Sequence, residues 1–334
     1  MSRRGTESNV GTAVTPDDID RAAEVLAPLV RRTPTIEVPG SEIGLDATLV
    51  LKLEHLQYSG SFKARGATHF VATRPVAAGG LVAASGGNHG AAVAWAAQRF
   101  GHDAHIFVPT TASPAKVTRL RRYGAIVHEV GDVYRDALDA SRRHLDIHDA
   151  TAIHAYDDDV VMAGAGTCAR ELDRQAPDLD AVLLACGGGG LSGGTAAWYG
   201  ERTEVVAVET PGTATFAAAD ASGAPVDVEV SGIAADALGA TRIGDTPFRA
   251  LRAAGATSAL VDDEDVIAAR LHLWNWLRIV VEPAAAAPLA ALMTGTWRPR
   301  SAGDRVGLVL CGANTTLDLT ATSAPGSLVT GPTR

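Results

Sequence analysis

What most constrains this chain is the regular return of a short apolar run, a turn rich in glycine or polar residues, and then a helical stretch. Apolar runs fall at 48–53, 80–84, 104–108, 126–129, 181–185, 205–209 and 305–310. Continuous apolar runs this short read as strands buried on both faces. Helical stretches follow several of them, at 64–73, 90–100, 114–123, 163–175 and 193–199, with further ones at 263–278 and 284–294. The alternation predicts an α/β fold built from parallel sheets with flanking helices. The 35 glycines and the scarcity of aromatics agree with many tight strand-to-helix turns.

At 334 residues the chain can bury one large core or two medium ones. Residues 1–14 read as a flexible leader, and the chain from about 323 onward as a loose tail. Thr15-Pro16-Asp17-Asp18 reads as an N-cap with proline in the first turn of a helix reaching about residue 29.

The net charge of −9 is spread along the chain, and the basic residues form no stripe interleaved with aromatics, which excludes a nucleic-acid footprint. No uninterrupted apolar stretch reaches the roughly 18 residues of a membrane span, and the N-terminus lacks a charged-then-apolar signal pattern. A soluble, cytoplasmic protein is expected. The three cysteines, Cys168, Cys186 and Cys311, are widely separated and match neither a disulfide framework nor a zinc cluster. Of the 29 basic residues only Lys52, Lys63 and Lys116 are lysines. Arginine cannot lose its proton to form an imine, whereas lysine can, so each retained lysine invites a reason.

Five motifs carry chemistry. In Ser59-Gly60-Ser61-Phe62-Lys63-Ala64-Arg65-Gly66 a lysine stands where a turn enters a helix, and the positive end of the helix dipole disfavours an ammonium there. Ser85-Gly86-Gly87-Asn88-His89-Gly90 is a second strand-to-helix turn, in which backbone N–H groups at a helix start suit a carboxylate. Cys186-Gly187-Gly188-Gly189-Gly190-Leu191 follows a strand; four glycines in a row imply a backbone wrapped closely around a ligand, usually a phosphate, the alternative being a linker. Neither dinucleotide nor P-loop spacing fits it. Cys311-Gly312-Ala313-Asn314 stands at the carboxyl end of a strand, where ligands of open parallel sheets sit, and Glu282-Pro283-Ala284-Ala285 precedes another helix.

Taken in this order over about residues 15–320, the motifs resemble the fold type II pyridoxal-phosphate enzymes, specifically the serine/threonine dehydratase (ammonia-lyase) family, which also contains serine racemase and threo-3-hydroxyaspartate dehydratase. The resemblance implies a tryptophan synthase β-like fold of two lobes, the larger from 1–68 and 157–326, the smaller from 69–156, with 327–334 as tail. It implies a homodimer and pyridoxal 5'-phosphate held by Lys63 as a Schiff base. Phe62 would pack on the ring, Gly187, Gly188, Gly189, Gly190 and Leu191 would bind the phosphate, and Asn88 would meet the phenolic oxygen. Cys311 would face the ring nitrogen, with Gly232, Glu282 and Asn314 completing the cofactor site. Ser85, Gly86, Asn88 and His89 would hold the carboxylate of a small amino acid.

The reaction so implied is dehydration and deamination of a small 3-hydroxy amino acid, such as L-threonine or L-serine, to a 2-oxo acid and ammonia. The neighbouring activities are β-replacement, serine racemisation, and dehydration of 3-hydroxyaspartate or 3-phenylserine. Three positions depart from the family pattern. The opposite-face serine of racemases falls on Gly86. Ala165 stands where glutamine is usual. Glu209 matches a glutamate of the divalent-metal site of some relatives, but the companion aspartate falls on Thr215.

Overall fold

The structure is a computed structural model and describes residues 13–315. The expected tail at 327–334, and all but the last two residues of the expected leader, lie outside that range. From the N-terminus, α1 (Pro16–Leu26) precedes β1 (Thr35–Pro39), β2 (Ala47–Lys52) and α2 (Lys63–Thr73). Alternating units follow: β3 (Leu81–Ala84), α3 (Asn88–Phe100), β4 (Ala104–Val108), α4 (Pro114–Arg122), β5 (Ile126–Glu129), α5 (Tyr134–Ile147) and β6 (Thr151–Ala152). Next come α6 (Asp159–Gln175), β7 (Ala181–Ala185), α7 (Gly190–Tyr199), β8 (Glu204–Glu209), α8 (Thr215–Ser222) and α9 (Asp245–Ala253). The chain closes with β9 (Thr257–Leu260), α10 (Asp263–Leu277), α11 (Pro283–Thr294) and β10 (Asp304–Val309).

The strands form two sheets, one ordered β1-β2-β10-β7-β8-β9 and one ordered β5-β4-β3-β6. Among the described residues every strand pairing is parallel except β1 with β2, where Thr35 to Pro39 run against Lys52 to Thr48. This is the expected α/β architecture with one antiparallel edge added. The central strand β7 is buried at all five residues, which is why it is apolar throughout. Beneath it α11 packs on β7, β8 and β10 with Ala284, Ala285, Ala286 and Ala287 all buried. Four small side chains in a row let the helix approach the sheet closely on any face.

The N-cap at Thr15 is present as a capping box: its Oγ1 accepts from Asp18 N–H at 3.3 Å, and the Asp18 carboxylate accepts from Thr15 N–H at 2.9 Å. The helix ends at Leu26, earlier than the pattern suggested.

What matters for function is where the strands end. In the six-stranded sheet β7 leads into the glycine run and β10 into Cys311, while in the four-stranded sheet β3 leads into Ser85. A bridge between Ser61 and Gly312, and a bond from Phe62 N–H to Cys311 O at 3.0 Å, tie the lysine turn to the end of β10. The carboxyl ends of both sheets therefore face one cleft.

Candidate active site

Four of the five motifs lead into helices, with Glu282 standing just before α11. Lys63 is the first residue of α2, Asn88 of α3 and Gly190 of α7, so each motif presents N–H groups that have no partner within its own helix. A cavity brings Phe62, Lys63, Asn88, the run Gly187 to Leu191, Glu282 and Cys311 together, with Ala237 and Leu238 on its far wall.

The Lys63 residue keeps some exposure, but its amine is enclosed and donates to the Ala155 carbonyl at 2.7 Å. It also stands 5.0 Å from the centre of the Phe62 ring. Burial pushes the amine down to about 8, with Cys311 and Glu282 acting in the opposite sense. Desolvation is thus the main cause of the depression expected from the helix start. An amine in that state is available as a nucleophile and a base.

The glycine run is required by its neighbours. A Cβ on Gly188 would lie 2.2 Å from the Tyr156 ring, and one on Gly190 would lie 3.0 Å from Tyr156 Cβ. Gly189 has φ of 90°, with Pro247 Cβ 2.6 Å from the place a Cβ would take. Any side chain here would displace the walls of the turn, so the backbone alone lines it.

Asn88, Glu282 and Asn314 form one network. Asn88 Nδ2 donates to Glu282 Oε1 at 2.7 Å, and Asn314 Nδ2 donates to Asn88 Oδ1 at 2.6 Å and to Ser59 O at 2.8 Å. Glu282 also accepts from Asn314 N–H at 3.2 Å. Burial pushes its carboxyl up to about 7. One hydrogen of the Asn88 amide is left for a ligand. Asn314 itself does not line the cavity and acts by orienting Asn88. The Cys311 thiol is driven well above its ordinary range by burial and then by Glu282, so it is a neutral thiol at physiological pH.

At the second turn Ser85 Oγ accepts from Gly87 N–H at 3.3 Å. His89 is buried and donates Nε2–H to Ile153 O at 3.1 Å; burial pushes its ring down to about 3, keeping it neutral. Its contribution to an anion is therefore its backbone N–H at the start of α3. Gly86 has room: a Cβ there would meet Val108 Cγ1 at 3.4 Å.

Two expected residues stand apart. Gly232 is exposed and outside the cavity lining; its φ of 81° serves a turn whose next N–H, at Ile233, donates to Asp263 at 2.9 Å. Glu209 caps α8, accepting from Phe216 N–H at 2.8 Å, Ala217 N–H at 2.9 Å, Ser258 Oγ at 3.1 Å and Thr215 Oγ1 at 3.2 Å. Its oxygens are taken up by these donors and its neighbour is a threonine, so this pair does not fit a divalent cation.

Three residues that the motifs did not single out reach the site. Tyr156 covers the glycine turn, and its Oη donates to Arg242 O at 3.2 Å. Arg119, on α4, donates to Gly86 O at 3.4 Å. Lys116, one turn earlier, pairs with Asp236 across the cleft. All three arrive from segments far from the motifs, and only the fold brings them in.

A family model described as pyridoxal-phosphate dependent enzyme matches residues 26–312. The chain is 33% identical to an L-threonine ammonia-lyase of Geobacter sulfurreducens, over 82% of this chain and 70% of that protein. It is 31% identical to a beta-hydroxyaspartate dehydratase of Paracoccus denitrificans, over 91% of this chain and 97% of that protein. Among solved structures, maize serine racemase superposes with a TM-score of 0.85 at 29% identity, covering 92% of this chain and 95% of that one. On the breadth of the family match and the identity to these relatives, the chain belongs to the pyridoxal-phosphate dependent enzymes.

Proposed function

We propose that the chain is an ammonia-lyase that removes water and then ammonia from a small 3-hydroxy amino acid such as L-threonine or L-serine, leaving a 2-oxo acid. The observation that carries this reading is the Lys63 amine, enclosed and bonded to a carbonyl rather than a carboxylate, beside a glycine turn that any Cβ would fill. Those features fit pyridoxal phosphate: an amine able to condense with its aldehyde, and free N–H groups at the start of α7 for its phosphate. Bound there, the cofactor supplies an electron sink at the substrate α-carbon.

The chain's own residues do the rest. Lys63 Nζ would hold the cofactor, and its amine, when free, would serve as the base for the substrate α-proton. Backbone N–H groups of Gly187 to Leu191 would hold the phosphate, and Phe62 would pack against the ring. The spare Asn88 amide hydrogen addresses the phenolic oxygen. The neutral Cys311 thiol would face the ring nitrogen and, unlike a carboxylate, would not enforce a proton there. The start of α3, with Ser85, Gly86, Asn88 and His89, binds the substrate carboxylate. Gly86 has no proton to deliver from the opposite face, so racemisation is minor unless Ser85 takes that role.

The reading includes a small lobe of about 69–156 that closes on a large lobe of about 1–68 and 157–326, a homodimeric state and a cytoplasmic location. The Lys116–Asp236 pair, which joins the two lobes across the cleft, supports closure. Among the described residues no helix is long and apolar enough to cross a membrane.

The test is a panel of L-serine, L-threonine, threo-3-hydroxyaspartate and 3-phenylserine, assayed for 2-oxo acid without added nucleophile. Steady release from at least one supports elimination. Product formed only with sulfide or an amine present would replace it with β-replacement.

A further inference from the structure

On the four-stranded sheet, away from the cleft, three histidines meet. His105 on β4 and His128 on β5 belong to neighbouring parallel strands, with Phe107 opposite His128, so both rings stand on the same face. The helix α5 lies over that face through Ala137 and Ala140, which pack with Val82 and Phe107. One turn on from Ala140 the same helical stripe presents His144, and His148 follows as the C-cap of the helix. The apolar contact between helix and sheet thus gives way to a cluster of imidazoles.

We propose that His105, His128 and His144 form a binding site for a divalent transition metal of the zinc class, separate from the cofactor site. One ligand nitrogen from each of the three rings lies within 4.8 Å of the other two. His105 Nδ1 and His128 Nε2 are 3.0 Å apart. Tetrahedral zinc with bonds of about 2.0–2.1 Å sets its nitrogens about 3.4 Å apart, so the triad closes on an ion with movements of about 1 Å.

Ring packing alone does not account for the cluster. The His128 ring stacks on Phe107 with centroids 4.3 Å apart, and the His144 ring lies tilted against His148 at 4.2 Å, so the rings also serve as apolar plates. Yet His144 Nε2 is buried with no hydrogen-bond partner among the described residues. A buried nitrogen left unpaired is costly, and a metal ion is the partner that three converging nitrogens can share. Asp103 is the carboxylate that acts on His105, and a water molecule would complete four-coordination. Imidazole donors suit zinc, copper and nickel, while a site with three nitrogens is poor for magnesium or calcium.

The β4, β5 and α5 residues do not line the Lys63 cavity, so metal here would pin α5 to the sheet rather than touch the reacting atoms. The test uses the cofactor-loaded enzyme, stripped with a chelator and titrated separately with Zn²⁺ and with Co²⁺. Expected are one saturable equivalent per chain, a visible Co²⁺ absorption of tetrahedral strength, and a rise in melting midpoint with Zn²⁺. His144→Phe keeps a ring in the stack and deletes the nitrogen; it and His128→Gln should each weaken binding at least tenfold and abolish the midpoint rise, with 2-oxo acid release unchanged. Far-UV circular dichroism and cofactor absorbance report whether the variants fold, and the wild-type Co²⁺ spectrum stands without them. Non-saturating metal uptake, or variants that bind as the wild type does, would overturn the site.

Discussion

Lys52 and Lys63 lie eleven positions apart, and the fold buries both amines, yet their surroundings could hardly differ more. Lys52 Nζ donates to Glu171 at 2.6 Å, Thr33 O at 2.7 Å and Gln175 Oε1 at 2.7 Å, so all three of its hydrogens are used. The network continues through Glu171 to Arg65, which grips Glu54 with Nε at 2.6 Å and Nη2 at 3.0 Å. Among the described residues Lys63 Nζ has a single hydrogen-bond partner, a carbonyl, and it stands in a cavity. Burial with a carboxylate locks the charge and ties β2 and α2 to α6; burial without one frees the amine to lose it. Two lysines that look alike in the sequence are thereby a structural cation and a candidate catalytic amine.

The largest effect should come from Lys63. Lys63→Ala removes both covalent attachment and the base, so 2-oxo acid release should fall at least about 1000-fold, the scale of losing a positioned base. The melting midpoint of the cofactor-free protein should stay the same or rise, because no ion pair is lost. Survival of a borohydride-fixable cofactor in this variant would show that another amine carries it.

The converse holds for the sealed network. Arg65→Leu leaves Glu54, which has no exposed surface, without its cation and should cost about 3–5 kcal/mol in denaturant unfolding. Lys52→Met should cost less, since Glu171 keeps Arg65. In both variants the activity of the folded fraction should survive. If Lys52→Met removed activity without loss of stability, the contrast between the two lysines would fail.

How much of this was legible beforehand depended on the kind of signal. The buried strands of both sheets were readable to within one residue because they carry continuous apolar runs. The edges were not. β1 carries Glu37 and Pro39, β6 is two residues long, and β9 exposes three of its four residues, so none makes an apolar run. The helix α5 was missed because YRDALDASRRHLDI is mostly charged and buries only Ala137, Ala140 and Ser141. In the site, the glycine run and Lys63 announced themselves by backbone and charge economy. Arg119 and Tyr156 did not, since their roles exist only once α4 and the segment after β6 fold over the cleft. The three clustered histidines are similarly silent, spaced 23 and 16 residues apart with no ligand motif between them.

The smallest effect expected concerns Glu282, which stands between the two extremes: a buried carboxyl held by Asn88 and Asn314 but, among the described residues, paired with no cation at contact distance. Its folded value of about 7 lies above its ordinary 4.5, so the native state holds a proton that the unfolded chain has released across that interval. The contribution of Glu282 to stability is therefore complete below about pH 4.5 and is lost as pH rises through about 7. Glu282→Gln abolishes this dependence. The stability difference between wild type and variant should move in favour of the variant by on the order of 3 kcal/mol between those limits, measured by urea unfolding at several pH values. A difference that stayed flat with pH would mean that Glu282 is ionised throughout and that a cation beside it, as beside Glu54, has been overlooked.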